Sequence, residues 1–442
     1  MSRPRFSTLF VAGVVALAAL FGFAATLLDG ATRSAGATTL VTVRLWDEQV
    51  AAAYRQSFAE FHRTHPAIEV RVNVVAYRSY FDTLRTDIAG GGADDIFWLS
   101  NAYLAGYADS GRLMSIDSAT ADWEPSVVTQ FTRNHTLWGV PQLTDAGIAV
   151  YYNADLLQAA GVDPARLAGL RWDPHGTQDT LRPMLATLTR DSAGRDAASP
   201  GFDERRIRQW GYNAANDPQG IYLNFIGSGG GVFERGDQFA FDNPANIATF
   251  GYLVELINTD HVAPPASDTN ANGDFSRNQF LAGKMALFQS GTYNLAAIAE
   301  QATFRWGISL LPLGPAGRIS VTNGIAAAGN SATPHPDAVR TVLDWMGSQQ
   351  GNAYVGRQGA AIPAALSAQP EYFDYWKHRD VDVTPFFAVL RGPRFPAPGG
   401  GTGFPAGNQA IKPYFDQMFL GRLTVPSALR QAQDAANAAA KR

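Results

Sequence analysis

The sequence contains no cysteine among its 442 residues. No disulfide can therefore form, and no lipid can be attached to an N-terminal cysteine. The chain also has little excess of one charge over the other: it contains 35 Lys and Arg and 39 Asp and Glu, which gives a net charge of −4. Nucleic-acid-binding proteins usually carry a strongly basic surface, and no long basic run occurs here. We therefore exclude a nucleic-acid-binding function.

Complete catalytic and metal-binding motifs are missing as well. Gly283-Lys284 lacks both the other glycine and the Ser or Thr of a phosphate-binding loop. His62 and His65 have no third metal ligand nearby in the sequence. Ser290 lies outside any G-x-S-x-G motif. The sequence thus indicates no metal and no cofactor, although any two of the 39 acidic residues could still meet in a cleft and cleave a glycoside.

The first 37 residues differ from the rest of the chain. Arg3 and Arg5 form a short basic region, residues 6–28 carry no charge, and Ala35-Gly36-Ala37 fits the small-residue site of a signal peptidase. The apolar segment is also long enough to cross a bilayer. Residues 1–37 are therefore either a cleaved secretory signal or an N-terminal membrane anchor. In both cases the chain from about residue 38 lies outside the cytoplasm.

Strands and helices alternate after this segment, with strands predicted at 39–45, 68–75 and 95–99 and helices between them. Such alternation implies a mainly parallel sheet covered on both faces, in which ligands bind beyond the C-terminal ends of the strands. Two places qualify, Trp46-Asp47-Glu48 and Ser100-Asn101. Asp47 and Glu48 also suit the start of the following helix, where carboxylates complement the helix dipole. Both explanations of this acidic pair remain open.

Residues 278–293, NQFLAGKMALFQSGTY, contain two glycines with different predicted roles. Gly283 is expected to end a helix in the left-handed conformation, after which residues 285–288 form a short buried strand. Ser290-Gly291 is expected to open a second helix, running from about Tyr293 to Ala299. The free N–H groups and the hydroxyl at that opening would then face a ligand.

Six segments carry a shared order of weak motifs: IEVRVNVVAYRSYFDTLRTDIAGGGADDIFWLS, LWGVPQLTDAGIAVYYNADLLQAAGV, FLAGKMALFQSGTYNLAAI, WGISLLPLGPAG, TNGIAAAGNSATPHPDAVRTVLDWMGS and GAAIPA. In this order they resemble the extracellular solute-binding proteins of family 1, the sugar-binding subunits of bacterial ABC importers. The resemblance covers about residues 40–440. It implies an α/β, two-lobed periplasmic-binding-protein-like fold of type II, similar to maltose-binding protein, with a hinge and a ligand cleft between the lobes.

The resemblance also implies where the lobes divide. Lobe I would comprise residues 40–142 and 311–347, and lobe II residues 146–309 and 348–442. The chain would cross between the lobes near Gln142 to Asp145, near Leu310 and near Ser348. Each lobe would thus be assembled from separated pieces of the chain.

Ligand-binding positions follow from the same resemblance. Tyr80 matches a tyrosine that faces the cleft, and Asn101 stands at a position that is often acidic in relatives. Relatives that bind glycerophosphodiesters carry a tyrosine where Ala361 stands, which argues against a phosphodiester ligand. The complete predicted set is Trp46, Asp47, Glu48, Tyr80, Asn101, Thr144, Asp145, Ser290, Gly291, Tyr293, Asn323 and Gly324.

The implied function is that of the substrate-binding component of an ABC importer. The protein would close around a carbohydrate and deliver it to two permease subunits, which a cytoplasmic ATPase drives. Asp47, Glu48 and Asp145 would make the cleft mildly acidic, which favours an amino sugar or a neutral sugar over a phosphorylated one. Two alternatives remain open: a secreted carbohydrate-active enzyme with a carboxylate pair in the cleft, and a surface adhesin or sensor.

A comparison of two variants tests the interpretation of residues 278–293. Ser290→Ala should weaken sugar binding more than Lys284→Ala, because the hydroxyl is expected to contact the ligand and the lysine to be a solvated surface charge. Isothermal titration calorimetry of both variants measures the difference. Equal effects would contradict the assignment.

Overall fold

A computed structural model describes residues 38–144, 147–176, 178–389 and 392–441. Two sets of predictions lie outside these residues: the signal or anchor at 1–37, and Asp145 as a ligand contact. Within the described part of the chain, no helix is long and apolar enough to cross a membrane.

The strands are short, and most of them are buried on at least one face. They are β1 (Thr39–Leu45), β2 (Ile68–Val74), β3 (Ile96–Ser100), β4 (Thr132–Arg133), β5 (Thr136–Leu137), β6 (Val140–Thr144), β7 (Ile148–Asn153), β8 (Arg190–Asp191), β9 (Ile207–Gln209), β10 (Glu234–Arg235), β11 (Gln238–Phe239), β12 (Leu287–Gly291), β13 (Trp306–Ser309), β14 (Val321–Thr322), β15 (Gly324–Gly329) and β16 (Phe395–Pro396).

The α-helices pack around these strands. They are α1 (Glu48–Thr64), α2 (Tyr77–Gly90), α3 (Asn101–Asp109), α4 (Pro125–Phe131), α5 (Ala154–Ala159), α6 (Leu181–Leu188), α7 (Leu223–Ser228), α8 (Pro244–Asn258), α9 (Ala266–Ala271), α10 (Phe275–Leu281), α11 (Leu295–Gln301), α12 (Pro336–Gly347), α13 (Gln349–Arg357), α14 (Gln369–Lys377), α15 (Thr384–Ala388), α16 (Phe404–Phe419) and α17 (Val425–Ala440).

The first sheet has five strands in the order β2-β1-β3-β15-β6. β1 pairs in parallel with β2 and with β3, as the alternation of strands and helices predicts. β15 comes from late in the chain and runs antiparallel to both of its neighbours, β3 and β6. The sheet is therefore built from two separated parts of the sequence.

The second sheet has three antiparallel strands, with β7 between β12 and β13. Alternate side chains of β7 face opposite sides, as the period of a strand requires. Ile148 and Val150 pack into one apolar cluster with helices such as α8 and α16. Ala149 and Tyr151 pack into another with α10, α11 and α14. Both clusters belong to the second lobe and are distinct from the cluster around the first sheet.

Helix α13, which the sequence assigned to lobe II, packs against the first sheet. Its residues join the apolar cluster of that sheet, and Ser57 Oγ on α1 donates a hydrogen bond of 2.9 Å to Gly351 O. Asn352 Nδ2 donates to Gln142 O at 3.0 Å, where the chain leaves the first sheet. These contacts fix α13 against α1, and the bounds of the lobes stay a prediction.

A buried cation stabilises the first sheet from within. Arg44 Nε lies 2.5 Å from Asp94 Oδ2, and Arg44 Nη2 lies 2.7 Å from Asp87 Oδ2. Burial alone would lower the pKa of Arg44, but the hydrogen bonds and negative charges of the two carboxylates outweigh burial and raise it. Asn73 Nδ2 donates to the second oxygen of Asp94. The network ties β1, β2, α2 and the segment before β3 together.

Removing one member of this network should destabilise the protein strongly. Asp94→Ala should lower the free energy of unfolding by about 3 kcal/mol, because a buried Arg44 loses its nearest counter-charge. Asp82→Ala is the control, since Asp82 pairs with Arg85 at the surface and its loss should cost less than about 1 kcal/mol. Chemical denaturation measures both. Similar values for the two variants would show that the buried pair contributes no more than an exposed one.

Candidate functional site

The register of the first sheet gathers several predicted residues at one edge. β15 is antiparallel to β3 and β6, with Ile325 opposite Ser100 and Gly324 opposite Thr144. The start of β15 therefore lies beside the C-terminal ends of β3 and β6, and β1 ends at the same edge because it is parallel to β3. This geometry places five of the predicted residues at the shared edge: Trp46, Asn101, Thr144, Asn323 and Gly324.

The second sheet presents a matching edge. Gly291 at the end of β12 pairs with Ile148 at the start of β7, and Ser309 at the end of β13 pairs with Val150. β7 begins directly after the chain leaves β6 of the first sheet. The edges that carry Thr144 and Gly291 are thus joined by the crossing segment. A cleft between two sheets joined in this way is where open α/β folds bind ligands.

Aromatic rings surround Trp46 at the edge of the first sheet. The half-buried indole meets the rings of Tyr80 and Trp98 edge-on, each with a centroid distance of 4.8 Å. Tyr77 also meets it at 5.6 Å and is 65% exposed. The sequence prediction missed Tyr77, although the pair Tyr77 and Phe81 stands one turn apart at the start of α2, which would have been a signal.

Tyr80 is completely buried. Its hydroxyl lies 2.9 Å from Trp98 O and 3.2 Å from Arg44 O, so that it donates to the backbone of β3 and β1. Burial raises the pKa of the Tyr80 hydroxyl well above its usual range. In this structure the ring therefore supports Trp46, and contact with a ligand stays a prediction.

Asp47 and Glu48 differ in their roles. Asp47 Oδ1 accepts hydrogen bonds from Gln49 N at 2.8 Å and Val50 N at 2.9 Å, so it caps α1 and the helix-start explanation is confirmed for it. Glu48 is exposed and lies 3.8 Å from Arg55 in a weak surface ion pair. Contact between Glu48 and a ligand stays a prediction.

The helix predicted to open after Ser290-Gly291 is present. A 3₁₀ turn begins at Thr292, with Gly291 as its N-cap, and continues into α11 at Leu295. Ser290 and Gly291 themselves lie in β12, where they pair with Ala149 and Ile148, so the strand extends beyond its predicted end at Phe288. Ser290 is buried, and its Oγ accepts a hydrogen bond of 2.8 Å from Asn294 Nδ2, so contact with a ligand stays a prediction.

Tyr293 follows this strand and is 49% exposed. The ring folds back over Gly291, where an added Cβ would lie 2.3 Å from Tyr293 Cε1. Tyr151 Oη donates to Gly291 O at 2.9 Å from below. Glycine is thus required at 291 for the Tyr293 ring to lie across the end of the strand.

The residues where β6 ends and β15 begins are tightly packed. Thr144 is buried, and its N–H donates to Ile362 O at 3.1 Å. Asn323 Oδ1 accepts from Gly324 N at 2.9 Å. Gly324 has no room for a side chain, because a Cβ there would lie 2.6 Å from Val127 Cγ2. These residues shape the edge, and direct contact with a ligand stays a prediction for each.

Asn101 already has a protein partner. Its Nδ2 donates to Ala397 O at 2.9 Å, in the Pro- and Gly-rich stretch that precedes α16. Ala397 packs against the second-lobe cluster, whereas Asn101 follows β3 of the first sheet. The residue thus connects the two lobes in this structure.

A cavity of about 800 Å³ lies elsewhere on the second lobe. Trp306, Tyr375 and Trp376 line it, and Tyr152 lies opposite Gly307 near the end of β7 that is farther from the crossing. None of the predicted site residues lines this cavity. Among the described residues, no group of three His, Asp or Glu side chains could hold a metal ion.

Comparison with known proteins favours one of the classes that the sequence left open. A sequence model of the bacterial extracellular solute-binding proteins matches residues 46–353. The chain belongs to this family. The solute-binding function for an ABC importer that the resemblance implied is confirmed, and the family works outside the cytoplasm.

Solved structures of solute-binding proteins agree with this assignment. The chain is 74% identical to UspC of M. tuberculosis, with a TM-score of 0.77 over 90% of this chain and 100% of that one. The quoted segments also suggest the binding subunit of the mycobacterial Usp sugar importer, and that prediction is confirmed. The Lmo0181 protein of Listeria monocytogenes is 18% identical, with a TM-score of 0.76 over 91% of this chain and 98% of that one, and supports the maltose-binding-protein-like fold.

A curated relative shows the same likeness by sequence. The arabinooligosaccharide-binding protein of Bacillus subtilis is 22% identical over 356 residues, which cover 74% of this chain and 72% of the relative. The likeness extends over most of both solute-binding proteins. The two-lobed fold class predicted from the sequence is therefore confirmed.

Glycine substitutions test the packing of the cleft edge. Gly324→Ala should lower the free energy of unfolding by about 1–3 kcal/mol, because the new Cβ displaces Val127 and with it α4. Gly106→Ala is the matched control: nothing lies within 4 Å of an added Cβ in α3, and alanine should favour that helix by up to about 1 kcal/mol. Differential scanning calorimetry compares the two. A stable Gly324→Ala variant would show that the edge can relax.

Proposed function

We propose that this solute-binding protein binds an amino sugar or a neutral sugar between its two lobes and closes around it. The observation that carries the proposal is an exposed aromatic ring at each of the two sheet edges, Tyr77 beside Trp46 on the first and Tyr293 on the second. Sugar rings present C–H patches on their faces, and flat aromatic surfaces bind these patches.

Polar groups at the same edges suit the hydroxyls of a sugar. Asn323 is half-buried beside the start of β15, and its amide can both donate and accept. Glu48 follows Trp46 by two residues in the chain, and its side chain is 74% exposed. An exposed carboxylate attracts an ammonium group and repels a phosphate, which favours an amino sugar or a neutral sugar over a phosphorylated one.

Ligands named for similar proteins support a carbohydrate. The Listeria monocytogenes protein is described in complex with cycloalternan, and the Bacillus subtilis relative is an arabinooligosaccharide-binding protein. Both similarities are too distant to carry the identity of the sugar. A carbohydrate ligand also fits the exposed aromatic rings at the two sheet edges.

The remaining parts of the proposal concern partners and location. The closed form would deliver the sugar to two permease subunits and, through them, to a cytoplasmic ATPase. Binding one lobe first and completing the hydrogen bonds with the other would stabilise closure through the difference in affinity. The protein would return its sugar unchanged rather than cleave it, and residues 1–37 would direct export or anchor it at the membrane.

A panel of sugars tests the ligand class. Glucosamine, N-acetylglucosamine, glucose, maltose and glucose 6-phosphate are added to the purified protein, and the melting temperature is measured. A bound sugar at a hundredfold excess over its Kd should stabilise the fold by about 2.7 kcal/mol. Calorimetry then gives the affinity. Binding of the phosphorylated sugar alone would overturn the proposal, and release of cleaved products would favour a carbohydrate-active enzyme.

Aromatic variants locate the site for whichever sugar binds. Tyr293→Ala should weaken binding by about tenfold, since one aromatic contact contributes about 1.4 kcal/mol. Tyr375→Ala is the matched control, because Tyr375 lines the separate cavity on the second lobe. Calorimetry measures both. A loss on replacing Tyr375, with Tyr293→Ala unchanged, would move the site to that cavity.

A further inference from the structure

A short loop, residues 397–401, is held from both lobes at once. Asn101 Nδ2 donates to Ala397 O at 2.9 Å and, more weakly, to Pro398 O at 3.5 Å. From the other side, Glu234 Oε2 accepts from Gly399 N at 2.9 Å and from Gly400 N at 3.3 Å. The loop backbone thus donates to Glu234 and accepts from Asn101, and Ala397 N also donates to Thr322 O at 3.1 Å, just before β15.

The two side chains belong to different lobes. Asn101 starts α3 directly after β3 of the first sheet. Glu234 starts the β10–β11 hairpin, whose Phe239 stacks on Phe404 within the second-lobe cluster. Ala102, next to Asn101, also packs against that cluster. The loop therefore lies in a contact between lobes.

Glycine is required for this close approach. A Cβ on Gly399 would lie 2.7 Å from Asn101 Nδ2, and one on Gly400 would lie 2.4 Å from Gly236 O. Gly401 has a φ of +76°, in the left-handed region. Larger residues at 399 and 400 would separate the loop from both partners. The composition of the loop thus suits contact with two surfaces.

We propose that Glu234 and Asn101 are positioning residues that hold residues 397–401 as a clasp between the lobes and stabilise their closed arrangement in a pH-dependent way. The proposal rests on the lobe closure of the proposed function. Asparagine suits position 101 because its amide donates to a carbonyl, which a carboxylate cannot do.

The surroundings of Glu234 determine whether the clasp becomes stronger or weaker as the pH rises. Burial raises the pKa of Glu234 to about 7, and the negative charge of Asp237 adds to the rise, while the N–H groups of Gly399 and Gly400 oppose it. A solvated glutamate has a pKa of about 4.3. The clasped state binds the proton more tightly, so the clasp is strongest below about pH 4.3 and weakens as the pH rises through 7.

Few charged groups lie around the clasp. Residues 397–401 contain no ionisable side chain. Arg133 of the first lobe interacts electrostatically with Asp237 and also bonds Asp109 of α3 at 2.6 Å. Glu234 is the carboxyl group that contacts the loop backbone directly.

Amide exchange in the full chain without sugar tests the clasp. After correction for intrinsic exchange rates, the amides of Gly399 and Gly400 should be about tenfold better protected at pH 5.5 than at pH 8. Small-angle scattering should show a smaller radius of gyration at the lower pH. Protection that does not change with pH would overturn the proposal.

Variants separate the clasp from a general effect of pH. Glu234→Gln keeps an acceptor without a charge, so protection at pH 8 should match that of the native chain at pH 5.5. Asn101→Asp cannot donate to Ala397 O and should expose the loop at pH 8. Glu371→Gln is the control, because Glu371 pairs with Arg357 and makes none of the loop contacts described above, so this variant should keep the native pH profile. A native profile in Glu234→Gln would contradict the role of Glu234.

The outcome is independent of the sugar-binding test. Every measurement is made without ligand, so a chain that binds none of the sugars in the panel still reports on the clasp. Sugar binding together with a flat pH profile would overturn the clasp alone. Melting temperatures of all variants show whether each is folded.

Discussion

The structure depends on one strand that joins the first sheet from late in the chain. β15 pairs antiparallel with β3 and β6, and without it each of these strands would present an unpaired edge. The register that satisfies their backbone hydrogen bonds also sets Gly324 beside Thr144. The same pairing thus completes the first sheet, forms one edge of the cleft and requires the chain to cross between the lobes.

Local elements could largely be predicted from the sequence, because their signals are local. The first strand has the predicted bounds, and Gly283 adopts the expected left-handed conformation with a φ of +69°. The pairing of β15 could not be predicted in the same way, since small residues in GIAAAG give no period. Pro183 and polar neighbours likewise obscure the buried face of α6, which is formed by Leu181, Leu185 and Leu188.

The candidate site shows where residue patterns stop being informative. The family resemblance implied that Tyr80 faces the cleft, whereas the structure buries that ring and leaves Tyr77 exposed. The end of β12 extends through Ser290 because β7 offers it a partner, which no feature of SGTY reveals. Asn101 was predicted as a ligand contact, and its partner at Ala397 is almost three hundred residues away along the chain. Exposure and distant pairing are properties of the folded chain rather than of short motifs.

The late position of β15 also affects how the protein is made. Ser100 ends a strand whose partner, Ile325, is synthesised much later, so β3 keeps an open edge while most of the chain emerges. Pairings between such distant residues form slowly, because a long loop must close first. A nascent chain that cannot finish its first sheet stays extended for longer. For a protein that works outside the cytoplasm, such a delay would leave the chain unfolded for longer before it reaches its place of work.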